Sequence, residues 1–252
     1  MDSTTPDPIV AIEELSKQYG AFLAVDRISL TVAPGEIVAL VGPNGAGKTT
    51  TLRMLMGVLA PSSGSARIGG LDCFRDRARV MHQVGYVPDD PVFYDYLRGA
   101  EVIDFVADMR GLPSDQARAR SAELCRALTL DDALGEYAVN YSKGMKKKLA
   151  LVCALLHRPR LLVLDEPQSG LDPFSMRRLN ELVIQASAAG NAVFYSTHIL
   201  EHAERLCHRI AILAGGRMAA VGSLAELRAR ASENATLEDI FFAVAGRPDE
   251  EA

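Results

Sequence analysis

None of the four cysteines, Cys73, Cys125, Cys153 and Cys207, stands in a Cys-x-x-Cys pair. A zinc knuckle or dithiol redox pair is therefore not indicated, and free buried thiols in a reducing compartment are expected. Long apolar runs are missing too. A membrane-spanning helix needs roughly 20 such residues, whereas Leu149 to Leu156 is among the longest stretches and soon meets His157 and Arg158. The chain is not expected to cross a membrane by itself. Residues 1–8 are polar and acidic, with no cationic stretch leading into an apolar one, so they do not read as a secretory leader. Basic charge is not in excess: 27 Lys and Arg face 32 Asp and Glu, for a formal charge of −5. No nucleic-acid partner or anionic membrane surface is indicated by that balance. Internal repeats and low-complexity segments are also absent. His198 and His202 have helical i,i+4 spacing, but Ile199 stands where a zinc-protease pair would need Glu.

What is present is a phosphate cradle, Gly42-Pro43-Asn44-Gly45-Ala46-Gly47-Lys48-Thr49, with Thr50 beside it. Four free positions between glycines, followed by Gly-Lys-Thr, fit the P-loop pattern. Its glycines let backbone N–H groups turn inward around phosphate oxygens, and the helix that follows presents its positive end. Lys48 then reaches the terminal phosphates, while the Thr49 hydroxyl is a magnesium ligand. Far downstream come Ser142-Lys143-Gly144 and the apolar run Leu161-Leu162-Val163-Leu164, which ends in Asp165-Glu166. Unpaired buried charge is costly, so two carboxylates at the end of an apolar strand ask for a functional reason. Strand ends of open α/β sheets are where ligands sit. Asp165 would face the metal with Thr49, and Glu166 would take a proton from water.

With 252 residues, 48% of them hydrophobic, the chain can bury a large core as one domain or two closely joined lobes. Strands are expected at Ile9–Leu15, Ile28–Val32, Ile37–Val41, Ala66–Ile68 and Val84–Val87, with a helix over Lys48–Leu59 and a turn at Pro61–Gly64. Between about 89 and 157 the pattern turns helical: Ala100–Met109, Ser114–Leu128 and Gly144–His157. Strand signals return at Leu161–Leu164, Ala192–Ser196 and Ile210–Leu213, with a helix over Phe174–Ala188. The expected division is a single domain over residues 1–246. Its α/β core spans about 1–88 and 158–222, the helical insert 89–157 and a short helical tail 223–246, with 247–252 frayed.

In this order the motifs resemble the nucleotide-binding subunit of an ABC transporter, over almost the whole chain. The resemblance implies a P-loop NTPase α/β core with an N-terminal antiparallel β-subdomain and an inserted helical subdomain. It implies ATP and Mg2+ as cofactors, hydrolysis of ATP, and two partners: a second ATPase subunit and a separate transmembrane permease. The chain would then sit on the cytoplasmic face of the cell membrane through that permease. Tyr19 matches the aromatic that stacks on adenine, though an aromatic after a strand also serves plain packing. Tyr141-Ser142-Lys143-Gly144-Met145 occupies the place of the signature, usually Leu-Ser-Gly-Gly-Gln, so Ser142 and Gly144 would meet the partner's ATP. Ser169-Gly170-Leu171-Asp172 matches the loop between paired domains, and His198 the switch histidine at the γ-phosphate.

Four positions depart from that pattern. Lys143 and Met145 replace Gly and Gln, a form resembling the branch paired with separately encoded export permeases. Gln168 stands where Thr is common, with no expected consequence. Asp89 replaces the coupling-loop glutamine and is expected to reach magnesium through water. Lys143, Lys146, Lys147 and Lys148 read as a solvated face, with a nucleic-acid patch as the alternative. The aromatics Phe93, Tyr94 and Tyr96, within Pro91–Leu97, are expected either in the core of the insert or in an apolar docking groove. A non-transport ABC ATPase acting on DNA or ribosomes is the rival reading. Only 93 residues separate Lys48 from Ser142, which leaves no room for the long coiled coil of chromosome-type members.

Overall fold

The computed structural model describes residues 7–231 and 235–245. The expectation of fraying at 247–252 falls outside them. Among the described residues, ten strands form two sheets: β1 (Val10–Tyr19), β2 (Phe22–Val32), β4 (Ser63–Ile68) and β5 (Leu71–Asp72) make one, in the order β2-β1-β4-β5. The other has six strands in the order β10-β9-β3-β8-β7-β6. These are β3 (Ile37–Val41), β6 (Val84–Val87), β7 (Leu161–Asp165), β8 (Ala192–Thr197), β9 (Arg209–Ala214) and β10 (Arg217–Gly222). Its inner pairs are parallel, and only the edge strand β10 runs antiparallel to its neighbour.

The parallel strands are continuous apolar runs because both of their faces are covered. Val38, Leu40, Val163 and Phe194 pack toward the four-stranded sheet and α1 (Lys48–Leu55). Their strand neighbours Leu162, Leu164, Val193 and Tyr195 pack on the opposite side. There they meet α3 (Gly99–Met109), α4 (Ser114–Leu128), α5 (Lys143–Leu155) and α6 (Pro173–Ala188). Each fully buried large side chain of this kind contributes on the order of 1.5–3 kcal/mol. A third cluster, around Ala39, Val41 and Ile212, takes in α7 (Leu200–Leu206), α8 (Leu224–Ala231) and α9 (Leu237–Ala245).

Several boundaries differ from expectation for local reasons. The β1–β2 hairpin runs out to Tyr19 and Phe22, well past Leu15 and short of Ile28. Register shifts at Ile12/Leu15, Leu15/Lys17 and Lys17/Gln18, with positive φ at Glu14 and Arg27, break the alternation that marks a strand. Helix α1 stops at Leu55 because Gly57 takes a left-handed φ of 63°. The turn placed at Pro61–Gly64 is partly strand, since β4 starts at Ser63. Short β5, edge strand β10, α2 (Arg77–Met81) and α7 carry too little periodicity to be seen in sequence.

Candidate active site

Strand order assembles the site. β8 lies beside β3 on one side and β7 on the other, so the C-terminal ends of all three sit together. The P-loop leaves β3, Asp165 closes β7, and His198 follows β8. At the mouth, Pro43, Asn44, Gly45 and Thr49 are exposed, Ala46 is buried and Thr50 half-buried. Gly47 opens α1 with a φ of 102°, and a Cβ there would lie 2.6 Å from the Ala24 carbonyl, so only glycine fits. Lys48 is buried and donates to the carbonyls of Gly42 at 2.7 Å and Pro43 at 3.2 Å. Burial lowers its pKa, partly offset by Glu166 and Asp165.

Asp165 is almost wholly buried, and its Oδ1 accepts a 2.8 Å hydrogen bond from Ser196 on β8. Burial raises its pKa, with Ser196 pulling the other way. Glu166 stands one residue on, with a left-handed φ of 44° that turns its side chain from the strand toward the P-loop. Its Oε1 is 4.0 Å from Lys48 Nζ, and its Oε2 is 2.8 Å from His198 Nδ1. Lys48 and His198 thus converge on the Glu166 carboxylate.

A family model described as ABC transporter matches residues 25–169, from β2 through the P-loop and Ser142 to the acidic strand end. The chain belongs to the ABC transporter ATP-binding family. That family is one of ATPases that use ATP with Mg2+. Among its relatives is the uncharacterised ABC transporter ATP-binding protein all4389 of Nostoc, 41% identical over 79% of this chain. The chain spans 59% of that protein's length. The linearmycin resistance ATP-binding protein LnrL of Bacillus subtilis is 36% identical over 86% of this chain and 70% of its own length. A solved structure, the ATP-binding subunit of an ABC transporter, superposes with a TM-score of 0.90 at 34% identity, covering 94% of this chain and 99% of that one.

The remaining ABC motifs lie apart from the P-loop cluster. Ser142 caps α5, its Oγ accepting from Met145 N at 3.2 Å, and so opens the helix end. Gly144 sits in the first turn of α5, with the Gly170 carbonyl 2.6 Å from where a Cβ would stand. Lys143 Nζ donates to Ser169 Oγ at 2.8 Å, tying this helix start to the loop before α6. Asp172 caps α6 through the backbone N–H groups of Phe174 and Ser175, each at 3.0 Å. Those bonds, led by that from the Ser175 hydroxyl, bring its pKa down to about 2. Tyr19 is half-exposed at the hairpin end, with Lys17 Nζ 5.3 Å from its ring centre.

The Asp89 carboxylate, expected to reach magnesium through water, lies 3.7 Å from Lys147 Nζ. No group of three or more His, Cys, Asp and Glu suited to a metal occurs among the described residues. The donor set still fits magnesium, which is commonly held by one carboxylate, a hydroxyl, nucleotide phosphates and water. Thr49 and Asp165 would supply the protein's share.

Two side chains correct the sequence reading. Lys147 is not on a solvated face: it has no exposed surface. Its ammonium donates to the carbonyls of Pro88 at 2.9 Å, Asp89 at 2.5 Å and Glu166 at 3.2 Å. Gln168, read as inconsequential, is buried and bonds Glu166 itself. A sequence signal for Lys147 did exist: it shares one helical stripe with Leu151, Ala154 and Leu155, all buried. For Gln168 there was none, because its other partners, Tyr195 and Thr197, come from a strand about thirty residues on. Tyr96 is 89% exposed and lies outside the apolar groove, whereas Phe93 and Tyr94 line it.

Proposed function

We propose that this chain powers export of a substrate through a separate membrane permease, working as a head-to-tail pair of ATPase subunits. The observation that carries the ATPase part is the convergence of Lys48, His198 and the Glu166 carboxylate at the joined ends of β3, β7 and β8. In each composite site, one subunit would give its P-loop, Asp165, Glu166 and His198, and the other its Ser142 and Gly144. The P-loop N–H groups and Lys48 bind the phosphates. Magnesium held by Thr49 and Asp165 would neutralise phosphate charge. Glu166 accepts the proton of the attacking water as its oxygen forms a bond to the γ-phosphorus and the bond to ADP breaks. His198 turns from Glu166 toward the γ-phosphate. The partner's α5 N-terminus, opened by Ser142, adds its positive end.

Export is supported by the Tyr-Ser-x-Gly-Met form of the signature and by the resistance role named for LnrL. A separate permease is supported by the match to an ATP-binding subunit spanning nearly the whole of its own chain. No described helix is long and apolar enough to cross a membrane. The docking site is the groove of about 440 Å³ lined by Val92, Phe93, Tyr94, Leu97, Val102, Phe105 and Val106. It lies one turn of chain beyond the Pro88–Asp89 carbonyls held by Lys147, the route by which docking would reach Glu166. The test is co-purification with a membrane protein from the same cells, followed by ATPase assay of the complex in lipid with candidate cargoes. Turnover stimulated by a cargo supports transport; isolation only with ribosomes or DNA would overturn it.

A further inference from the structure

Glu166 needs more than its strand to aim it. Its left-handed backbone lifts the side chain away from β7, and a carboxylate on a two-methylene stem turns freely unless held. The holding falls on one oxygen. Oε2 accepts from Gln168 Nε2 at 2.9 Å, from the His198 backbone N–H at 3.3 Å, and stands 2.8 Å from His198 Nδ1. Among the described residues, Oε1 has only Lys48, at 4.0 Å.

The Gln168 amide is itself fixed on both sides. Its other N–H donates to Thr197 Oγ1, and its Oε1 accepts from the Tyr195 hydroxyl at 3.0 Å. Tyr195 and Thr197 have no exposed surface, and Gln168 is 6% exposed. Flipping the amide would set its oxygen against the Glu166 carboxylate, two acceptors with no proton between them. Only the orientation described satisfies every atom. Threonine, common here in the family, carries its hydroxyl on Cβ, two bonds short of the reach of this amide.

We propose that Gln168 is a positioning residue for the general base: it pins Glu166 Oε2 to β8 and leaves Oε1 free to take the proton of water. The proposal rests on the assignment of Glu166 as base. His198, with a 59% exposed side chain, is to leave Oε2 for the γ-phosphate during turnover. Gln168 is then the side-chain anchor that stays, because Tyr195 and Thr197 keep it in place. The same amide joins the base to β8, the strand that leads to His198.

The test compares Gln168→Leu, Gln168→Glu and Glu166→Gln in the purified full chain, reading ATP affinity with a fluorescent analogue, turnover, and melting temperature. Hydrogen bonds to charged groups are strong enough that Gln168→Leu should lower kcat by about tenfold. ATP affinity should remain within about twofold, since Gln168 touches no P-loop atom. Gln168→Glu keeps the length and the Tyr195 bond but sets a carboxylate against Oε2, so it should lower kcat further. In a Glu166→Gln background, Gln168→Leu should have no added effect on kcat, because the base it aims is gone. Wild-type kcat in both Gln168 variants, beside an inactive Glu166→Gln, overturns the positioning role and leaves the base assignment standing. A parallel loss of ATP affinity and melting temperature in both Gln168 variants also overturns it, as that is a packing defect. Full activity in Glu166→Gln would instead remove the reading beneath it.

Discussion

Lys147 shows how a single side chain can be misread from its neighbours. In the sequence it is one of four closely spaced lysines, and such runs are usually solvated. In the fold its three donors go to three carbonyls, from residues 88, 89 and 166, so the ammonium is fully used although no water reaches it. Burial lowers its pKa, and the neighbouring Asp89 raises it again. Replacing it with Met takes this donor from the Pro88 and Asp89 carbonyls, while the Glu166 carbonyl keeps the Ser169 N–H at 3.1 Å. Unsatisfied buried groups cost on the order of 1–3 kcal/mol each, so Lys147→Met should lower stability in urea by roughly 3 kcal/mol and reduce turnover with it. Unchanged unfolding would show that the carbonyls find other donors. Asp89→Gln, by contrast, loses one exposed partner and should leave stability nearly unchanged while altering how cargo stimulates hydrolysis. The Asp165-Glu166 pair was legible because charge at the end of an apolar strand is conspicuous. Lys147 and Gln168 were not, because what makes them matter is contributed by other segments.

At the scale of elements, legibility followed burial on two faces. β3, β7 and β8 are unbroken apolar runs and fell where expected, as did β6 and the three insert helices to within a residue or two at most ends. The bulged outer half of the β1–β2 hairpin was hidden by its register shifts. The junction between α5 and β6 carries a pH-sensitive contact. His157, just after α5, places Nε2 3.1 Å from the Val84 carbonyl, and burial, with Arg110 and His82 nearby, brings its pKa down from 6.5 to about 4. The unfolded chain therefore binds this proton from pH 6.5 downward while the folded chain resists it until about pH 4. Stability should fall as pH drops through that window. His157→Gln keeps a donor for Val84 and should flatten the slope of the urea midpoint against pH; an unaltered slope would assign it to other groups. The groove beside α3 offers a second element-scale test. Tyr94 and Phe105 stack edge to face at 5.9 Å on its wall. Tyr94→Ala with Phe105→Ala should reduce recovery of the permease complex severalfold while ATP binding persists, whereas Tyr96→Ala should not.

For the whole molecule, the central claim is that Glu166 performs chemistry while the P-loop performs binding, with two chains closing around two ATP molecules. Signature and P-loop lie on separate parts of one chain, Ser142 at the start of α5 and Lys48 at the start of α1, which is the arrangement a head-to-tail pair would complete. Substituting Glu166→Gln keeps the size and one oxygen but removes the basic carboxylate. General-base catalysis is worth about 10²–10⁴-fold, so turnover should fall by that order. ATP should still bind, and gel filtration with ATP and magnesium should show a dimer, with the permease present if the isolated chains pair weakly. Lys48→Ala should lose ATP binding and never form that dimer. The most direct measurement is therefore ATP turnover of Glu166→Gln alongside its elution with ATP and magnesium. The account predicts a bound, closed and nearly inactive dimer; hydrolysis at the wild-type rate would contradict it.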